Sequence, residues 1–328
     1  MPPIFQSPSE SRIREFLASQ AGPWSSMDLA NLTIRPYGHA YLSTMFSIDG
    51  LAEPYLLILK QHDDAVVRAR REFQTLSVIN GSLAPRPILI DDTCTWFPDP
   101  VLVTTYVQPT RITTWDTSNL DRLARLMATI HSDRRLLKLD VDREKSGPYS
   151  VAAELAHEAR HLPSYRESPV KTELLRALGA LEARVPDWEE IFEDGALVYV
   201  HGDLPHHHVF WGEPEWKVID WEWSRQSHPT RELARALWHL ELSPELESVL
   251  LELYKQYAAY EIQPEALEVQ LLLEYFYSAI HVTFWLDREV EFTHPDWNRA
   301  AGMCKVARAW VEAGNLPPQA KRRASQCM

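Results

Sequence analysis

Hydrophobic and polar positions change rhythm along the chain and divide it into two parts. From Leu32 to Val107 the texture is strand-like. Ala40 to Ile48 and Tyr55 to Lys60 flank Asp49-Gly50, a dipeptide that favours tight turns, so a hairpin is expected there. One helical stretch interrupts, Asp64 to Ile79, with apolar Val66, Val67, Phe73, Leu76 and Val78. Pro85-Arg86-Pro87 opens a short apolar run and Val101 to Val107 forms another. Ahead of this region, Ser11 to Ser19 reads as a helix, followed by a turn at Gly22-Pro23.

After Pro109 the pattern becomes helical. Leu120, Leu123, Leu126, Met127 and Ile130 recur at helical spacing behind Ser118-x-x-Asp121, the pattern of a capping box. Further helices are expected at about 150–162 and 169–184, and several between 230 and 315. Set among them is one small β segment, Ala196 to Val200, Val209 to Trp211 and Trp216 to Ile219. The layout is α+β and two-lobed. A β-rich N-terminal lobe with its leading helix is expected over residues 1–107, and a mainly helical C-terminal lobe over 108–328.

Composition narrows the class. The chain has 328 residues, 45% of them hydrophobic, enough for a sizeable core and too many for a disordered chain. Its net charge of −13 is localised, since residues 151–300 hold 28 acidic against 12 basic side chains. Binding a phosphate backbone needs clustered cations, so no nucleic-acid partner is expected. An acidic half suits a cationic small molecule, and equally an ordinary solvated surface. Cys94, Cys304 and Cys327 are odd in number and far apart, which fits a reducing compartment. No basic segment followed by an apolar one opens the chain, and Leu271 to Leu286 is broken by Glu274 and His281. A cytoplasmic protein without a membrane partner is expected, its oligomeric state open.

The chemistry is concentrated in Val200-His201-Gly202-Asp203-Leu204, running on through His208 to Trp211, and in Val218-Ile219-Asp220-Trp221-Glu222. Each apolar strand ends in a carboxylate, and a hairpin between Asp203 and Asp220 brings both to one cleft. Paired carboxylates suit a hard cation such as Mg²⁺, or a base beside it. Four histidines, His201, His206, His207 and His208, raise the idea of zinc. Neighbouring residues on an extended loop point in opposite directions, so a dedicated zinc site is disfavoured and His201 is expected to be a structural hydrogen-bonding residue.

These two segments at this spacing resemble the aminoglycoside phosphotransferase and choline kinase family, whose fold is protein-kinase-like, and the order of elements agrees over roughly residues 30–310. The resemblance implies an ATP-dependent (or GTP-dependent) phosphotransferase acting on a hydroxyl of a small molecule. Asp203 is the implied catalytic base, or the group that orients the hydroxyl, and Asp220 the metal ligand. Lys60, at the end of Leu56-Leu-Ile-Leu59, would hold the nucleotide phosphates with Glu72 as its partner. The Val101–Val107 segment, through Thr105 and Val107, would receive the adenine. Ser227-His228-Pro229-x-x-Glu232-Leu233-Ala234 is similar to the family's segment that braces the catalytic loop.

Departures matter. The family's second metal ligand, an asparagine five residues after the base, is His208 here; imidazole suits ions softer than Mg²⁺, such as Mn²⁺. The phosphate-covering loop has only Gly38, expected to sit between strands. Tyr275-Phe276-Tyr277 should be mostly core, while Glu274, Asp287, Glu289 and Glu291 leave room for a cation-binding wall. Trp221 and Glu222 read as packing and loop residues, with Glu222 able to reach substrate. An aminated sugar, amino alcohol or antibiotic is one acceptor class and a neutral sugar or natural-product hydroxyl another. A catalytically weak nucleotide-binding regulator and a nucleotidyl transferase on the same fold are the alternatives.

Overall fold

Short apolar segments separated by turns build the first sheet, with burial alternating along its second and third strands. Strands β1 (Thr33–Ala40), β2 (Ser43–Asp49), β3 (Tyr55–Lys60), β4 (Pro87–Asp91) and β5 (Val101–Thr105) pair antiparallel in the order β1-β2-β3-β5-β4. The computed structural model describes residues 7–287, apart from 41–42, 62–63, 109, 113, 140–149, 166, 193–196, 205–207, 212–215 and 241. Phe46, Ile48, Leu57, Leu59, Val101 and Val103 share one face of the sheet. There α1 (Glu10–Ser19) seats Ile13, Phe16 and Leu17 in a common core. The other face receives α2 (Ala65–Ile79), whose Leu76 and Ile79 pack with Leu102. Lys60 follows Leu59 and so points to this second face, where charges rather than apolar groups bury it.

Helices supply the rest. A two-residue strand β6 (Thr110–Arg111) precedes α3 (Thr117–Ser132). There follow α4 (Val151–Ala159), α5 (Pro169–Glu182) and α6 (Val185–Phe192). Four short strands come next, β7 (Val198–Val200), β8 (Val209–Trp211), β9 (Lys217–Val218) and β10 (Arg225–Ser227). The described chain then runs through α7 (Pro229–Leu240), α8 (Pro244–Tyr257) and α9 (Pro264–Asp287). One core joins α3, α7 and α8 to β7 and the base of α2; another joins α4, α5 and α6 to α9. Tyr275, Phe276 and Tyr277 belong to the second core, as their spacing suggests. No helix among the described residues is long and apolar enough to cross a membrane.

Three local expectations are corrected. The small β segment is split: β7 pairs with β10, whereas β8 pairs with β9 and β6. Its apolar pattern marks strands but not their partners. Gly38 lies inside β1, at a register shift between Pro36 and Gly38, and not between strands. Asp116, rather than Ser118, caps α3, accepting from the Asn119 N–H at 2.9 Å. Helix α6 starts at Val185, with two residues between it and the end of α5, and the pattern had not marked it. The expected helices beyond α9, the Lys321-Arg322-Arg323 tail and Cys304 and Cys327 lie outside the described residues.

Candidate active site

Both carboxylates of the two strand ends reach one cleft because local backbone geometry turns the chain there. Gly202 has φ of +81°, and a Cβ at that position would lie 2.3 Å from the Trp223 carbonyl oxygen, so the His201–Asp203 loop and the turn after Asp220 approach closely only with glycine. Asp220 itself has φ of +66°, a left-handed conformation uncommon outside glycine and asparagine or aspartate. It opens a 3-10 turn, Trp221–Trp223, with Trp221 fully buried. His201 ties the two loops. Its Nδ1 accepts the Asp203 N–H at 3.2 Å and its Nε2–H donates to the Ile219 carbonyl at 2.9 Å. This is a neutral ring, with its pKa pushed down to about 4 by burial. The expected structural role of His201 fits these contacts; His206 and His207 lie outside the described residues.

The bracing segment also falls into place. Glu232, on α7 and fully buried, accepts from the His201 N–H, and burial lifts its pKa to about 7. Thr75 of α2, Tyr199 of β7 and Ser224 form a buried three-hydroxyl cluster with spacings of 2.5 to 3.1 Å, fastening α2 to the loop region.

A line of charges runs across the cleft. Lys60 Nζ is 2.7 Å from Glu72, 2.6 Å from Glu222 and 3.5 Å from Asp220. Burial opposes the lysine's charge, but the three carboxylates outweigh it and hold its pKa well above the ordinary value. Burial lifts Glu72 to about 7 against the pull of Lys60. Burial also works against ionised Asp220, yet Lys60 and His208 keep its pKa below the usual range. His208 stands between the two carboxylates, Nε2 at 3.3 Å from Asp220 and Nδ1 at 3.6 Å from Asp203 Oδ2. Its Nδ1–H donates to the Asp203 carbonyl at 2.9 Å. Asp203 is in turn held by Arg235 at 2.8 Å, which offsets the burial that would raise its pKa and leaves the carboxyl well below the usual carboxylate range.

Lys60, Glu72, Asp203, His208 and Asp220 are therefore brought together. Thr105 and Val107 are not part of this line. Thr105 ends β5 and bonds through its backbone and hydroxyl to Arg86, and with Val107 it borders a separate cavity of about 750 Å³. That cavity is lined also by Glu53, Gly81 and Lys217, and none of the five charged residues borders it.

Sequence reasoning undervalued two residues. Glu222, expected in a loop within reach of substrate, is buried, contacts Lys60 and lies 3.5 Å from Arg68, whose guanidinium stacks 3.7 Å over Trp223. A carboxylate two residues beyond Asp220 was the available signal. Arg235 shares one face of α7 with Glu232 and His239, and that spacing could have placed it beside the loop. The expected cation-binding wall is altered too: Glu274 is fully buried and bound to Arg235 at 3.0 Å, so it offers no open face to a ligand. The side chain of Asp287 and all of Glu289 and Glu291 lie outside the described residues.

Glu72, Asp220 and Glu222 present oxygens within 4.8 Å of one another. Three hard donors around a single lysine form a donor set suited to a small divalent cation.

Comparison with known proteins agrees with this geometry. The chain resembles choline kinase from Cryptosporidium parvum Iowa II, with a TM-score of 0.69 and 15% identity over 94% of this chain and 98% of that one. It is similar to choline kinase LicA from Streptococcus pneumoniae, with a TM-score of 0.66 and 15% identity over 93% and 99%. It also resembles APH(2″)-IIa in its streptomycin–ATP ternary complex, with a TM-score of 0.63 and 14% identity over 93% and 99%. At these identities the likeness establishes the kinase-like fold. No curated protein sequence matches the chain significantly. The profile of the phosphotransferase enzyme family, APH, matches residues 33–265, most of both lobes. The chain belongs to that family and is a small-molecule kinase, a phosphotransferase with an alcohol acceptor.

Proposed function

We propose that this kinase transfers the terminal phosphoryl group of ATP to a hydroxyl of a small amine-bearing compound, with Asp203 as the group that receives or orients the acceptor hydroxyl. The observation that carries the reading is the convergence of Lys60, Asp220 and Asp203 on one cleft, with His208 between the two aspartates. Family members use ATP with a divalent metal. Bound there, the metal and nucleotide supply the transferable phosphoryl group and neutralise its charge.

Each residue then has a definite task. Lys60 binds the nucleotide phosphates, and Glu72 and Glu222 fix the direction of its ammonium group. Asp220, with His208 and Glu222, would hold the metal. Asp203 aligns the acceptor oxygen and takes its proton as the new bond to phosphorus forms; positioning and charge balance supply most of the acceleration in such a transfer. Thr105 and Val107, at the exit of β5, are assigned to the nucleotide base.

The amine in the acceptor rests on the acidic helical half and on the likeness to choline kinases, an ethanolamine kinase and a streptomycin complex. Glu274, spoken for by Arg235, is not its counter-ion. The test is a panel of choline, ethanolamine, streptomycin and neutral sugars with ATP or GTP, each with Mg²⁺ or Mn²⁺. ADP and a phosphomonoester are expected. AMP with pyrophosphate would establish the nucleotidyl transferase alternative, and nucleotide binding without turnover the weak regulatory one.

A further inference from the structure

Asp203 meets Arg235 in an unusual way. Both Nε, at 3.2 Å, and Nη2, at 2.8 Å, point to the same carboxylate oxygen, Oδ1. The remaining guanidinium nitrogen, Nη1, donates to Glu274 Oε2 at 3.0 Å. Every nitrogen of Arg235 is thus committed, two to Asp203 and one to α9. Oδ2 of Asp203 is left on the side of His208, beyond hydrogen-bond distance at 3.6 Å. Glu274 is fully buried, and its other oxygen has no hydrogen-bond partner among the described residues, so this carboxylate is spent on Arg235 alone. A free aspartate carboxylate turns about a broad, roughly two-fold torsion. One held through Oδ1 by a rigid fork does not.

We propose that Arg235 is a positioning residue of the transfer: it clamps Oδ1 of Asp203 so that Oδ2 alone is presented to the acceptor hydroxyl, and Glu274 on α9 fixes the guanidinium that does so. The proposal rests on the reading of Asp203 given above. It explains why the half-buried arginine beside Asp203 carries its own buried counter-charge. A tether between loop and helix needs one hydrogen bond; orienting a carboxylate needs the plane of the guanidinium to be held, and Glu274 holds it. The fork sits on α7 and α9, two packed helices, which keeps the carboxylate from wandering with its loop.

The experiment measures ADP formation from MgATP with water as the acceptor, giving kcat and KM for MgATP. The variants are Arg235→Met, Arg235→Lys, Glu274→Gln, the double variant R235M/E274Q, and Asp203→Asn, with melting curves confirming that each is folded. Arg235→Met is expected to lower kcat by about 100-fold, the scale of a displaced reacting group, while KM for MgATP stays unchanged. Arg235→Lys should recover only part of the loss, since an ammonium is a point charge without the fork. Glu274→Gln should lower kcat in the wild-type background and add nothing in the R235M background. Wild-type kcat in Arg235→Met together with an inert Asp203→Asn would overturn this proposal and leave the reading of Asp203 standing. An equal loss from Glu274→Gln in both backgrounds would overturn the part given to Glu274. Should Asp203→Asn turn over normally, or the wild type release no ADP with water or any acceptor of the panel, the reading of Asp203 fails and takes the proposal with it.

Discussion

Nε2 of His208 lies 3.3 Å from Oδ2 of Asp220, while Nδ1–H of the same ring is engaged by the Asp203 carbonyl. Nε2 is thus the ring nitrogen that faces Asp220, and a cation shared by the two would take one nitrogen and one oxygen donor. Imidazole prefers borderline ions to Mg²⁺. ATP with Mn²⁺ is therefore expected to raise the melting temperature more than ATP with Mg²⁺, and His208→Asn should narrow or reverse that order. An unchanged preference in His208→Asn would remove His208 from the metal's surroundings.

Lys60 balances three carboxylates at once, so its loss should be felt beyond nucleotide binding. Lys60→Met leaves Glu72 buried without its cation and takes from Glu222 the ammonium 2.6 Å away, and breaking a buried pair in this way typically costs about 3–5 kcal/mol. Urea unfolding should show that loss, and millimolar Mg²⁺ or Mn²⁺ should restore part of it, because the oxygens of Glu72, Asp220 and Glu222 are close enough to share a cation. Stability indifferent to added metal would argue against the cluster as a cation site.

Backbone geometry around the two aspartates makes a separate prediction. Gly202→Ala puts a methyl group where φ is positive and the Trp223 carbonyl is within 2.3 Å, so it should destabilise by about 2 kcal/mol or more and disorder the loop. Asp220→Asn, in contrast, keeps a side chain that tolerates the left-handed conformation and removes only the charge. It should melt near the wild type yet lose the metal-dependent part of the ATP shift. Circular dichroism melts with and without nucleotide distinguish the two cases.

Glu232 gives the expected pH dependence. Its pKa is raised in the folded protein to about 7 by burial, from an ordinary value near 4.5. A group with a raised folded pKa contributes its stability fully below its unfolded pKa and loses it as pH climbs through the folded one. Over that window the loss is on the order of 3 kcal/mol, at 1.36 kcal/mol per unit. Glu232→Gln cannot ionise, so the difference in urea midpoint between wild type and variant should move against the wild type from pH 4.5 to 7. A difference that stays constant across this range would mean that Glu232 is ionised throughout.

Much of this was legible in the sequence where a pattern is local. Tyr55 to Leu59 is an apolar run because one face of β3 meets α1 and the other packs toward α2, and the lysine that ends the run is the one the cleft uses. Asp203 and Asp220 were placed together from two strand ends and a hairpin, and His208 joins them. What the sequence hid is long-range pairing. Arg235 and Glu274 are 39 residues apart on separate helices, and nothing in either helix's periodicity announces that one neutralises the other. The division of β7 and β8 between two sheets was hidden likewise, since short apolar strands carry no mark of their partner. At α3 the capping oxygen comes from Asp116, two residues ahead of Ser118, so the local pattern located the helix start only to within a few residues.

The most direct test of the central claim is ³¹P NMR of ATP and divalent metal incubated with the acceptor panel, for the wild type and for Asp203→Asn. ADP and one new phosphomonoester signal are expected from the wild type, with neither from Asp203→Asn although it still binds nucleotide. Equal phosphomonoester formation by Asp203→Asn, or AMP and pyrophosphate from the wild type, would contradict the account.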